Sequence, residues 1–228
     1  MIQLTRYMAG TAMLLVAAAA VHAAPIPSAT STTAGVPLDT PSLTGFQTTG
    51  NDMGGSMVTV RFADGSTSSA AWVAAGGAAG GASTALWSLS LDGDSFSTPW
   101  QLKNNDAPTI VGFSFDGLPG KTVFDIVNGP SDSPGSANGN PFGSVDGPAG
   151  VTFADGAYTN QVLIAGTFYD DLYSLLDVQF KGGLRPNGVL TFIADTDSIG
   201  LPVPEPETYA LMLAGLGLIG FVARRRRG

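Results

Sequence analysis

Residues 57–65 read Met57-Val58-Thr59-Val60-Arg61-Phe62-Ala63-Asp64-Gly65, and they decide the fold class. Val58, Val60 and Phe62 alternate with Met57, Thr59 and Arg61, the period-two spacing of a strand with one buried face. Asp64-Gly65 tolerates positive φ and closes a hairpin, so residues 66–73 are expected to return as the partner strand. Outward from this hairpin the same grammar repeats. Trp87, Leu89 and Leu91 alternate with serines, and further strands are expected at 100–102, 110–115, 122–127, 162–169, 175–180 and 189–194. Between the two ends of the chain no sustained helical periodicity occurs, a single turn at 170–176 excepted. Short strands separated by turn signals predict an all-β fold over residues 56–200. The expected architecture is an antiparallel β-sandwich of jelly-roll or immunoglobulin-like size. Residues 24–55 are rich in Pro, Ser, Thr and Gly and read as a linker, and residues 128–150 read as a long loop.

Composition narrows the chemistry. The chain has 228 residues, no cysteine and one histidine, His22. Between residues 24 and 204 five basic side chains face sixteen aspartates, a net of −11. Such a body does not track nucleic-acid phosphates, which need clustered Lys and Arg; no nucleic-acid partner is expected. Without cysteine there is neither a disulfide framework nor a zinc–thiolate site. His22 falls in the N-terminal segment, so its removal would leave no histidine for nucleophile pairs, metal ligation or acid–base relay.

Both ends carry targeting signals. Arg6 precedes an apolar run from residue 8 to 21, and small residues at Val21 and Ala23 complete a secretory signal peptide over residues 1–23. Cleavage is expected after Ala23, because a cut after Ala24 would place Pro25 awkwardly, and the Sec machinery is the expected carrier. At the other end, alternating prolines at 202, 204 and 206 exclude a helix. Residues 209–223 hold no charge, and Arg224, Arg225, Arg226 and Arg227 follow at once. As a transmembrane helix this stretch rises about 22 Å, short of the ~30 Å hydrocarbon core, a mismatch that snorkelling arginine stems reduce. The basic run belongs on the cytoplasmic side, which leaves the body outside. Gly215, Gly217 and Gly220 match a dinucleotide-binding spacing, but no preceding strand or later acid accompanies them, so that reading is rejected.

Val203-Pro204-Glu205-Pro206, the hydrophobic stretch and the four arginines, in that order, closely resemble the PEP-CTERM sorting signal of Gram-negative bacteria. The resemblance covers about the last 26 residues, within a sorting tail over residues 201–228, with Glu207 standing where a small residue is more usual. It implies recognition by exosortase, a membrane-embedded cysteine transpeptidase-like enzyme, and processing near Pro204-Glu205-Pro206. It further implies an inner-membrane intermediate held by the C-terminal helix, then a place at the cell surface or in the extracellular matrix. Exopolysaccharide and biofilm are the setting that such systems share. Residues 166–197 also look like the last strands of many PEP-CTERM proteins, a likeness that carries no activity.

Aspartates are the groups left for acid–base or metal chemistry. Asp64, Asp92, Asp116, Asp146 and Asp155 each precede glycine and are expected to serve turns. The pairs Asp170/Asp171 and Asp195/Asp197 differ. In a strand Asp195 and Asp197 point the same way, and two carboxylates on one face need solvent or a hard cation between them. Calcium, with six to eight oxygen ligands, is the candidate ion for Asp170, Asp171, Asp195 and Asp197. The spacing lacks the distal Glu of an EF-hand loop. The expected function is therefore a non-catalytic, exosortase-processed surface or matrix protein. The alternative is a secreted carbohydrate-binding protein or an Asp-dependent glycoside hydrolase, with Trp72, Trp87 or Trp100 stacking on sugar.

Overall fold

The strand at 57–62 and its alternation carry over directly into three dimensions: Val58, Val60 and Phe62 are buried, and Met57 is exposed. This is seen in a computed structural model that describes residues 30–31, 35–127, 133–134, 136, 138–146 and 152–200, with backbone alone at 30–31, 144–146 and 152–157. The expected signal peptide with Val21 and Ala23 lies outside the described residues. So does the sorting tail, with Val203, Pro204, Glu205, Pro206, Arg224, Arg225, Arg226 and Arg227.

The strands in chain order are β1 (Thr30–Ser31), β2 (Leu38–Thr40), β3 (Leu43–Gly45), β4 (Met57–Phe62), β5 (Thr67–Ala71), β6 (Val73–Gly76), β7 (Ala79–Ser83) and β8 (Trp87–Asp92). They continue as β9 (Trp100–Asn104), β10 (Ile110–Asp116), β11 (Thr122–Asp125), β12 (Gly143–Asp146), β13 (Thr152–Ile164), β14 (Leu172–Leu184), β15 (Val189–Ile193) and β16 (Thr196–Ile199). A 3₁₀ turn at Leu118–Gly120 separates β10 from β11. Among the described residues there is no α-helix, and no helix long and apolar enough to cross a membrane.

These strands form two sheets. The first runs β3-β16-β11-β14-β10-β4-β5, with β13 paired to β14, and the second runs β12-β15-β9-β8-β7-β6. Pairing is antiparallel except where β1 and β2 lie parallel to β13, a departure from the wholly antiparallel expectation. The long strand β14 organises the first sheet. Along it β10 and β11 lie end to end: Asp116 pairs with Leu175, and Phe124 with Tyr173. The turn between them is a side loop on what is otherwise one continuous strand. Beyond this pair, β4 flanks β10 and β16 flanks β11.

The two sheets close on each other through aromatic rings. Trp100 of β9 meets Phe115 of β10 at 5.4 Å between centroids, and Phe192 of β15 meets Phe113 of β10 at 5.5 Å. Trp72 sits where the chain leaves β5 for β6 and changes sheet. It touches Trp100 and Phe115 and donates from its indole to the Gly50 carbonyl (2.7 Å). Gly80 is required there, because a Cβ on it would collide with the Gly50 carbonyl and the Trp72 ring nitrogen.

A second, smaller apolar cluster lies on the far side of β11 and β14. Val123 and Leu172 belong to it, while their neighbours Phe124 and Tyr173 face the main core. This end of the first sheet is thus buried on both faces. Residues 38–55, expected to be linker, supply part of the cover: β2 pairs β13, β3 pairs β16, and Met53 is fully buried in the main core. The expected long loop at 128–150 likewise contains β12, paired with β15. The Asp155-Gly156 dipeptide, expected in a turn, lies inside β13, next to a shift in its register with β14.

Candidate metal centre

Asp125 ends β11 in the run Thr122-Val123-Phe124-Asp125, all four of them buried. Pairing with β16 then determines what surrounds it. Val123 lies opposite Asp197 and Phe124 opposite Thr196, and the Asp125 N–H donates to the Asp195 carbonyl (3.2 Å). Residues two apart on a strand share a face, so Asp125 and Asp197 project on the same side of the sheet as Val123. One carboxylate oxygen from each of Asp125, Asp195 and Asp197 lies within 4.8 Å of the other two. Their side chains are 0, 2 and 0 % exposed, so water cannot screen the three like charges from one another.

The hydrogen bonds around them are uneven. The Ser136 hydroxyl donates to Asp125 Oδ2 at 2.7 Å. Asp195 Oδ1 accepts from the Ser95 hydroxyl and from the Thr196 N–H, both at 2.8 Å. Asp195 Oδ2 and both oxygens of Asp197 accept no hydrogen bond among the described residues. Asp171 is buried beside the group, with its Oδ2 accepting from the Ser133 N–H.

Electrostatics follow from burial. Loss of hydration pushes the Asp195 carboxyl up to about 7, against the opposing pull of the Ser95 and Thr196 hydrogen bonds. Loss of hydration, reinforced by the charges of Asp125 and Asp195, pushes Asp197 up to about 8; the nearby Ser136 hydroxyl offsets this only in part. Tyr158, fully buried, is raised for the same reason and stays a neutral phenol that accepts from the Phe142 N–H. Next to the cluster opens a cleft of about 620 Å³ whose walls include Gln47, Asp94, Phe96, Ser136 and Asn138. Ser136 therefore touches both the cleft and the aspartates.

Of the four aspartates singled out by spacing, Asp195 and Asp197 lie in this cluster and Asp171 adjoins it. Asp170 stands outside: it is exposed, sits at φ 65° and accepts from the Tyr173 hydroxyl at 2.7 Å. Asp125 is the member that sequence reasoning missed. Its signal was an aspartate set into the apolar run Thr122-Val123-Phe124-Asp125-Ile126-Val127, where a half-buried strand would place a carboxylate only with something to hold it. The three tryptophans are 0–1 % exposed, so none offers a ring face to sugar.

The last described strand, β16, ends at Ile199, and the family model for the PEP-CTERM protein-sorting motif matches residues 202–227. The chain carries a PEP-CTERM motif. The PEP-CTERM match takes in Val203, Pro204, Glu205 and Pro206 together with Arg224, Arg225, Arg226 and Arg227. A PEP-CTERM motif marks an exosortase substrate, exported, processed at the membrane and destined for the surface. No curated protein and no solved structure matches the chain.

Proposed function

We propose that this is a surface or matrix protein whose β body is non-catalytic and works within the exopolysaccharide layer of a biofilm. The observation that carries the reading is the PEP-CTERM motif at residues 202–227, which gives the body a destination outside the cell. The interior of the body supports the non-catalytic part. A retaining or inverting glycosidase needs two carboxyls about 5–10 Å apart across a cleft that admits sugar, whereas Asp125, Asp195 and Asp197 are crowded together and closed to solvent. Sugar stacking needs exposed rings, and Trp72, Trp87 and Trp100 are core residues.

Intact-mass measurement on protein recovered from the producing cell tests the destination. Loss of residues 1–23 and of the arginine-bearing tail is the expected result. A mass that retains Met1 or the terminal arginines would sink the reading. Incubation of the same protein with the host's own polysaccharide is expected to leave the polymer length unchanged.

A further inference from the structure

The geometry points to a calcium site formed by Asp125, Asp195 and Asp197 where β11 meets β16. It goes beyond the sorting function and stands without it. Ligand oxygens around calcium lie at about 2.3–2.6 Å from the ion, so any two of them are at most about 5 Å apart. The three carboxylate oxygens, all within 4.8 Å of one another, fit around such an ion.

Crowded acids alone would not make a site. The independent observation is Asp197, which is fully buried, points into the cluster, and has neither oxygen hydrogen-bonded among the described residues. Asp195 Oδ2 is in the same position, and no ion pair reaches Asp195 or Asp197 among the described residues. Buried carboxylate oxygens without donors are expensive unless a cation or proton meets them. The other oxygen of Asp195 is well held: Ser95 and Thr196 fix Asp195 Oδ1. A ligand oriented by one oxygen and left open at the other is how outer partners set up a metal site.

The donor set selects the ion. It is all oxygen, and the chain has no cysteine and a single histidine at position 22, so soft or imidazole-seeking metals are disfavoured. Magnesium demands a near-ideal octahedron, whereas calcium accepts irregular shells. Ser136, which donates to Asp125, also lines the neighbouring cleft, where Asp94 adds negative potential that draws cations toward the cluster. Bound there, calcium ties β11 and β16 to the segment that carries Ser136.

The test uses the full-length chain, stripped with chelator and retitrated with calcium or magnesium. Calcium at a hundredfold above its Kd is expected to raise Tm by about 5–10 °C. Asp197→Asn should abolish the rise, while Asp64→Asn, at an exposed turn, should keep it. Terbium provides a second readout in the unaltered protein. Trp100, whose indole donates to the Ala194 carbonyl beside Asp195 (3.0 Å), should sensitise its luminescence, and calcium should quench it by displacement. If Asp197→Asn does not fold, Asp195→Asn and the terbium competition decide. Absence of both the Tm rise and terbium displacement, or a full calcium response in a folded Asp197→Asn chain, would overturn the site. An equal rise with magnesium would overturn the choice of calcium.

Discussion

Two aspartates in this body hold their protons far more tightly than an aspartate in water, and the sign of the effect can be worked out. Asp195 is raised to about 7 and Asp197 to about 8 from an ordinary value of 3.8. The unfolded chain has already released both protons near pH 5, while the folded chain keeps them. Stability from these groups is therefore complete below about pH 4 and drains away as pH climbs through 7 to 8. Chelator-treated protein should show Tm falling across that window in calorimetry, opposite to the usual rise of acid-labile proteins between pH 3 and 6. A flat or rising profile would mean that the carboxylates are relieved in some other way. Asp94, Asp125 and Asp171 face the pair from neighbouring segments, and their charges all act in the same direction. Much of this was readable in sequence for Asp195 and Asp197, because spacing on one strand is local information. Asp125 was not, because a register between residues 125 and 195 is set by tertiary pairing and leaves no trace in either stretch alone.

At the level of elements, strands announced themselves where one face was large and apolar. Val58-Thr59-Val60-Arg61-Phe62 and Trp87-Ser88-Leu89-Ser90-Leu91 are β4 and β8 almost residue for residue. β7, Ala-Gly-Gly-Ala-Ser over 79–83, hides because small residues carry no periodic signal, although close approach to β8 and to Trp72 is what calls for them. Three adjacent strands are also tied by one side chain. Arg61 on β4 reaches across β10 above Gly112 to grip both carboxylate oxygens of Asp177 on β14 (2.7 and 2.8 Å) and the Val178 carbonyl (2.8 Å). Gly112 leaves room for this, since a Cβ would come within 2.8 Å of the guanidinium. The pair is partly exposed, so its worth is modest. Asp177→Asn should cost about 1 kcal/mol in urea unfolding, because the forked geometry is kept only in part. Arg61→Ala should cost more, since it also strips the carbonyl bond and the packing of the stem. Equal losses from both substitutions would argue against the strap.

For the molecule as a whole, the boundary of the body lies earlier than composition suggests. Prolines, serines and threonines across 24–55 mimic a linker, yet β3 pairs β16 and Met53 is fully enclosed by the main core. Low apolar density is what misleads: a strand of three residues that completes another sheet edge needs only one inward side chain, here Leu43. A body beginning at residue 56 should therefore lose cooperative unfolding and become sensitive to protease. One beginning at residue 24 should unfold in a single transition. Limited proteolysis alongside thermal melts of the two bodies checks this, and equal resistance would restore the linker view.

The pairing of β16 on both edges, with β11 on one side and β3 on the other, has a mechanical side. Tension on the chain beyond residue 200 that pulls along this strand's axis reaches it before any other strand. Its hydrogen bonds to two neighbours then resist together, in shear, rather than opening one after another like a zip. The strand nearest the PEP-CTERM motif is thus held by two neighbours at once, and its resistance to such a pull is a matter of unfolding rate more than of equilibrium.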